Sequence, residues 1–263
     1  MPTPVKALAQ QLGLRTIEPE RLRDAVGVLA SVGASVFAVV SYGKIVPQTV
    51  LDLPTFGALN VHPSLLPLYR GATPLRAVLR DGRTDSGVTV IAMDAGMDTG
   101  DVVLQERHDV GLHETHGELH DRFATVGARL LATAVERAAD GTLERTPQSA
   151  FGVPESEIAA TLTRPLRKED LVLDWSLPAQ RLADQVRSLS PQPGARADVA
   201  GAPATLKVLR ARAVEAENEA AQGALVVLAG GDPAVRCGDG RLLLLERVVA
   251  PGRPQMSGAE FVR

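Results

Sequence analysis

Residues 36–63 read VFAVVSYGKIVPQTVLDLPTFGALNVHP, and two segments inside this stretch decide the fold. The first, VFAVVS at 36–41, is a short apolar run rich in β-branched residues and bounded by Gly33 and Gly43. That composition predicts a strand buried on both faces. The second, GALNVH at 57–62, predicts another strand, stopped by Pro63, which has no N–H for a ladder. Further strands are predicted at 86–93 and 101–107, with helices at 4–12, 19–31, 73–81 and 115–139. Strands interleaved with helices predict an α/β fold, a Rossmann-like, mostly parallel sheet flanked by helices.

Around 141–160 the pattern gives way to Gly, Pro, Ser and Thr, and residues 142–160 read as a linker. Beyond it come an amphipathic helix at 177–189 and short β-like runs at 205–210, 223–229, 234–237 and 241–249, separated by Gly/Pro turns. Short strands at that spacing predict a small β-barrel or sandwich. The expected organisation is therefore residues 1–141, the linker, and residues 161–263.

Composition narrows the function. Hydrophobic residues make up 45% of the 263, enough for a sizeable core, whereas 3% aromatics leave little material for stacking nucleobases. One cysteine, Cys237, excludes an intrachain disulfide and suits a reducing cytosol. Residues 1–159 carry 14 Lys/Arg against 19 Asp/Glu, and residues 160–263 carry 14 against 12. A slightly basic second half is compatible with a phosphate-rich partner without indicating one.

Along a strand, Asn60 and His62 leave on one face and Val61 on the other. An amide can donate to a carbonyl oxygen that is becoming an oxyanion, and an imidazole can move protons near neutral pH. The plainer reading of this tetrapeptide is a turn cap and an ordinary buried histidine. Two neighbouring segments favour chemistry. Ser64-Leu65-Leu66-Pro67 opens a loop too apolar for a routine solvated connection, and 93–101 (MDAGMDTGD) sets three carboxylates around two glycines after a strand. Asp94 and Asp101 suit turn-shaping roles. His116 and His120 stand four apart on a helix, but no third metal ligand accompanies them.

NVHPSLLPLYRG at 60–71, followed by MDAGMDTGDVV at 93–103, resembles the folate-dependent formyltransferase family. The segments MPTPVKALAQQLGL at 1–14, VVSYGKIVP at 39–47 and LVLDWSLPAQRLADQVRSLSP at 171–191 resemble the branch whose acceptor is initiator methionyl-tRNA. The resemblance implies formyl transfer from 10-formyltetrahydrofolate, an acyl transfer for which no metal is required. It implies catalytic roles for Asn60, His62 and Asp98, with Asp98 orienting His62 and favouring its protonated form. Ser64, Leu65, Leu66 and Pro67 would contact the folate, with Tyr42, Gly43, Lys44 and Ile45 beside its pterin end. An open, OB-like β-barrel at 161–263 would dock the tRNA, in a cytoplasmic enzyme expected to act as a monomer. Family members that formylate an amino sugar nucleotide, or hydrolyse formyl-folate, would share the same three catalytic residues.

Two departures accompany the resemblance. Met1 aligns after the family's leading strand–helix–strand and basic loop, so the expectation is a misassigned start and a longer natural chain, with a non-catalytic remnant as the alternative. Residues 190–196 (SPQPGAR) stand where the family has tryptophans, so contacts made there do not transfer.

Overall fold

A computed structural model describes residues 2–200, 205–215 and 219–263. Helix α1 (Pro4–Gln11) starts where Thr3 caps it and Pro4 occupies its first turn. The single helix predicted over 19–31 is a 3-10 turn, Leu22–Ala25, running into α2 (Val26–Val32). There follow β1 (Phe37–Val39), α3 (Gln48–Leu51), β2 (Ala58–His62), α4 (Pro74–Arg80), β3 (Asp85–Ala92), β4 (Val102–Asp109) and α5 (His116–Ala139).

The four strands lie in the order β1-β2-β3-β4. Only β1–β2 is parallel; β2–β3 and β3–β4 are antiparallel, so the sheet is mixed and not mostly parallel as expected. The physical reason for β3–β4 is chain length. Met93–Asp101 is shorter than the dozen or so residues that a parallel crossover needs. A second correction concerns β1, which forms the sheet edge among the described residues and is only half-buried, with Ala38 exposed.

Helix α5 opens with a reciprocal capping box between Thr115 and Glu118. It lies across β2 and β3, burying Leu119, Phe123 and Leu130 with Leu59, Val88 and Val90. Gly127 sits at the crossing, where a Cβ would come within 2.7 Å of Val61 Cγ1. Val61 therefore faces the helix, which leaves Asn60 and His62 on the opposite face of the strand.

Between the two halves run a 3-10 turn (Gln148–Phe151) and α6 (Glu155–Ala160). The C-terminal part holds α7 (Ala179–Leu189), β5 (Ala195–Ala197), β6 (Leu206–Val214), β7 (Leu225–Val227), β8 (Pro233–Arg236), β9 (Leu242–Val249), β10 (Gln255–Ser257) and α8 (Gly258–Phe261). Its strands form an open antiparallel sheet, β5-β6-β9-β8-β7, with β10 also beside β9. Leu182, Val186 and Leu189 of α7 pack with Val208, Leu243 and Leu245, and Trp175 lies against this core. The Trp175 indole N–H donates to the Asp198 carbonyl at 2.7 Å. Cys237 is buried, and burial pushes its thiol up to about 11, which leaves it an inert core residue. No described helix is long and apolar enough to cross a membrane.

Helices α4 and α7 pack together and join the halves. Arg76 donates to the carbonyls of Ser188 (2.8 Å) and Gln192 (2.9 Å), and Arg181 donates to Arg80 O at 2.8 Å. Near this junction, burial and then the Arg76 charge lower the His116 pKa to about 4. A folded pKa below the ordinary 6.5 means that the unfolded chain binds the proton first as pH falls. Stability contributed by neutral His116 is thus complete above pH 6.5 and is lost on acidification towards pH 4. Thermal melts across that range should show a smaller decline for His116→Gln than for the wild type; equal declines would remove His116 as a cause.

Candidate active site

His62 is 4% exposed and ends β2 opposite Thr89 of β3. After Pro63 the chain folds back beneath the sheet. Thr89 Oγ1 donates to Ser64 O (2.6 Å) and accepts from Leu66 N (3.3 Å), while Gln105 Nε2 donates to Leu66 O (2.9 Å). Leu66 buries itself against Ile91 and Val102, and Ser64 Oγ donates to Leu68 O at 2.7 Å. The apolar start of this loop is thus explained by burial. The loop ends at Tyr69, in the left-handed conformation at φ +59°. Burial raises the Tyr69 pKa, so its phenol stays protonated and donates to Asp81 at 3.2 Å.

The Tyr69 carbonyl can only accept, so the His62 Nε2 that lies 3.0 Å from it must carry a proton. That fixes the tautomer of the neutral ring and leaves Nδ1 with its lone pair free. Asp98 Oδ2 lies 3.6 Å from Nδ1, beyond hydrogen-bond range but within charge range. Burial is the larger influence and lowers the His62 pKa below 6.5; the Asp98 charge and the Tyr69 carbonyl pull against it. The expected sign of the Asp98 effect is present, yet burial outweighs it and the resting ring is neutral at pH 7. The arrangement is a base whose conjugate acid already has its counter-charge in place.

Asp98 reaches His62 because the β3–β4 connection doubles back across the sheet. Asp94 shapes that bend, its carboxylate accepting from Gly96 N (3.0 Å) and Thr99 Oγ1 (2.7 Å). Asp98 itself is left-handed, φ +56°, and its Oδ2 accepts from Gly71 N at 2.8 Å. Gly71 has φ +109°, and a Cβ there would come 2.2 Å from Thr163 O. Gly71→Ala is expected to destabilise by on the order of 1–3 kcal/mol and to slow the reaction. Thermal melts together with turnover test this, and an unchanged melting temperature would contradict it.

Tyr42, Gly43, Lys44 and Ile45 follow β1 at the edge where Val39 pairs with Asn60, and all four are exposed. Leu65, Leu66 and Pro67 line a cavity of about 330 Å³ with Gln105 and Arg107; Asn60, His62 and Asp98 are not among its lining residues. His116 and His120 have ring centres 6.0 Å apart, and no cluster of three potential metal ligands occurs among the described residues.

Three contributors escaped sequence reasoning. Thr163 pairs with Gly71, its N donating to Arg70 O (2.8 Å) and its Oγ1 accepting from Thr73 N (3.1 Å). Gln148 bridges Arg70 and the Asp98 loop. Gly71 was visible only as part of a loop. No periodicity or charge pattern marks any of the three.

The model of the formyl transferase family matches residues 1–135, and that of its C-terminal domain matches residues 165–263. A methionyl-tRNA formyltransferase from Methylobacterium sp. (strain 4-46) is 42% identical over 100% of this chain and 82% of its own length. The enzyme of that name from Pelotomaculum thermopropionicum is 37% identical over 100% of this chain and 81% of its own length. Among solved structures, the sugar 3N-formyl transferase WlaRD superposes with TM-score 0.67 at 12% identity, covering 95% of this chain and 82% of WlaRD. HypX from Aquifex aeolicus, solved with tetrahydrofolic acid, gives 0.63 at 18%, covering 90% of this chain and 40% of HypX. These two likenesses concern the fold alone. With both domain models matched and relatives of one name aligned along its whole length, the chain belongs to the formyl transferase family, among the methionyl-tRNA formyltransferases.

Proposed function

We propose that the protein transfers the formyl group of 10-formyltetrahydrofolate to the α-amino group of initiator methionyl-tRNA. The observation that carries the reading is His62, its Nε2 turned to the Tyr69 carbonyl at 3.0 Å and its Nδ1 3.6 Å from Asp98 Oδ2, on the face that Asn60 shares. The amine attacks the formyl carbon, and its C=O oxygen gains negative charge. The Asn60 amide donates to that oxygen, in the manner of an oxyanion hole. His62 Nδ1 accepts the proton released by the amine, and Asp98 stabilises the resulting imidazolium. When the bond from carbon to folate N10 breaks, the same proton passes from His62 to N10, so proton and electron pair balance without a further reactant.

In this reading Ser64, Leu65, Leu66 and Pro67 border the folate, and Tyr42, Gly43, Lys44 and Ile45 border its pterin. Residues 1–141 form the catalytic domain and 142–160 the linker. Residues 161–263, an OB-like sheet, dock the tRNA, and the enzyme works as a cytoplasmic monomer. Support for the acceptor comes from the relatives' shared name at 37–42% identity.

The test supplies 10-formyltetrahydrofolate with methionyl-tRNA, an amino sugar nucleotide, or water alone. Formylmethionyl-tRNA is expected. Transfer to the sugar nucleotide alone would overturn the acceptor, and release of formate alone would overturn group transfer.

A further inference from the structure

The bond from Gly71 N to Asp98 Oδ2 joins two separate loops at the candidate site. Gln148 touches both loops. Its Oε1 accepts from Arg70 Nε (3.1 Å) and Nη2 (2.7 Å), next to Gly71. Its Nε2 donates to the carbonyls of Asp98 and Gly100, each at 2.8 Å. Two accepted and two donated bonds fill the capacity of a carboxamide, so the group has no freedom to turn. The residue is 6% exposed. Its backbone is fixed as well, because Thr146, two residues earlier, exchanges both N–H···O bonds with Val102 at the start of β4, each 2.8 Å.

We propose that Gln148 is a positioning residue for formyl transfer, holding the Asp98 loop and the Arg70–Gly71 segment in one register so that the Asp98 carboxylate stays beside His62. The inference rests on formyl transfer being the activity of the site. A carboxamide suits this place for a chemical reason. Glutamate would set a carboxylate against two carbonyl oxygens, and methionine of similar shape would leave those carbonyls and the Arg70 guanidinium without partners. Asp98 holds a left-handed backbone, a conformation that Asp tolerates better than most side chains. The two bonds from Gln148 hold the Asp98 and Gly100 carbonyls that flank this turn.

The experiment compares wild type, Gln148→Met, Asp98→Asn and the double variant, with kcat and KM measured against pH and melting temperature recorded for each. Loss of register by about an ångström costs up to roughly a hundredfold in rate. Gln148→Met is therefore expected to lose about ten- to a hundredfold in kcat, with KM for the tRNA changed by less than about threefold. Its acid limb should move to lower pH, because a displaced Asp98 no longer raises the His62 pKa. Because Gln148 acts through Asp98, the double variant should be no slower than Asp98→Asn alone, a non-additivity expected of coupled residues. Should Gln148→Met not fold, Gln148→Glu, which keeps the acceptor for Arg70, carries the same comparison. Near-normal kcat in a folded variant, an unmoved acid limb, or losses that multiply with those of Asp98→Asn would overturn the inference. Absence of formyl transfer by the wild type would instead overturn the function on which it rests.

Discussion

Replacing His62 with alanine is expected to lower turnover at least about a hundredfold, the lower bound for removing a proton-transfer group. The ring is both structural and chemical, so the substitution needs a control that separates the two. His62→Gln retains a donor for the Tyr69 carbonyl but has no titrating nitrogen, and it should fold like the wild type while being as slow as alanine. Near-normal turnover in either variant would take His62 out of the mechanism. The pH profile adds an independent check. The proposed mechanism needs the ring neutral, and burial places its pKa below 6.5. Activity should therefore hold across neutral pH and fall only as the pH drops through a value under 6.5. An acid limb above 6.5 that vanishes in His62→Gln would mean that the Asp98 charge outweighs burial at the ring, the reverse of the order expected.

Asn60→Ala is expected to cost about 100- to 1,000-fold in kcat, the range for losing one oxyanion donor. The amide is worth most once the formyl oxygen carries charge, so the loss should fall on kcat with little change in KM for the folate. Asn60→Asp keeps the shape of the side chain but presents oxygen to a developing oxyanion, and it should be at least as slow as alanine. A rise in KM with kcat preserved would recast Asn60 as a ground-state binding group. Because the side chain is only half-buried on β2, neither variant should greatly lower the melting temperature.

Much of the candidate site is legible in the chain because two of its proposed members share one strand. Alternation put Asn60 and His62 on a common face, and Pro63 marked where the strand stops; both follow from local rules. Asp98 was legible by residue type and by family resemblance only. Nothing in residues 93–101 says that the loop recrosses the sheet, since that path is set by Asp94, Gly71 and Gln148 together. The direction of β3, which alone runs against the other three strands, was misread because alternation of helix and strand suggests parallel pairing. The short stretch between β3 and β4 was the better guide. The edge position of β1 among the described residues was equally hidden, as Val36, Phe37, Val39 and Val40 would suit an interior strand. Gln148 and Thr163 act on main-chain groups of distant loops, a role that leaves no mark in composition or period.

The pairing of Thr163 with Gly71 bears on how such chains can be recombined. A hybrid spliced near residue 141 would bring a stranger's glutamine and threonine to the native Gly71 and Asp98 loops, and under the proposed function any mismatch would surface as a slow enzyme with a sound fold. One spliced after residue 164 would keep those partners native and exchange only what lies downstream.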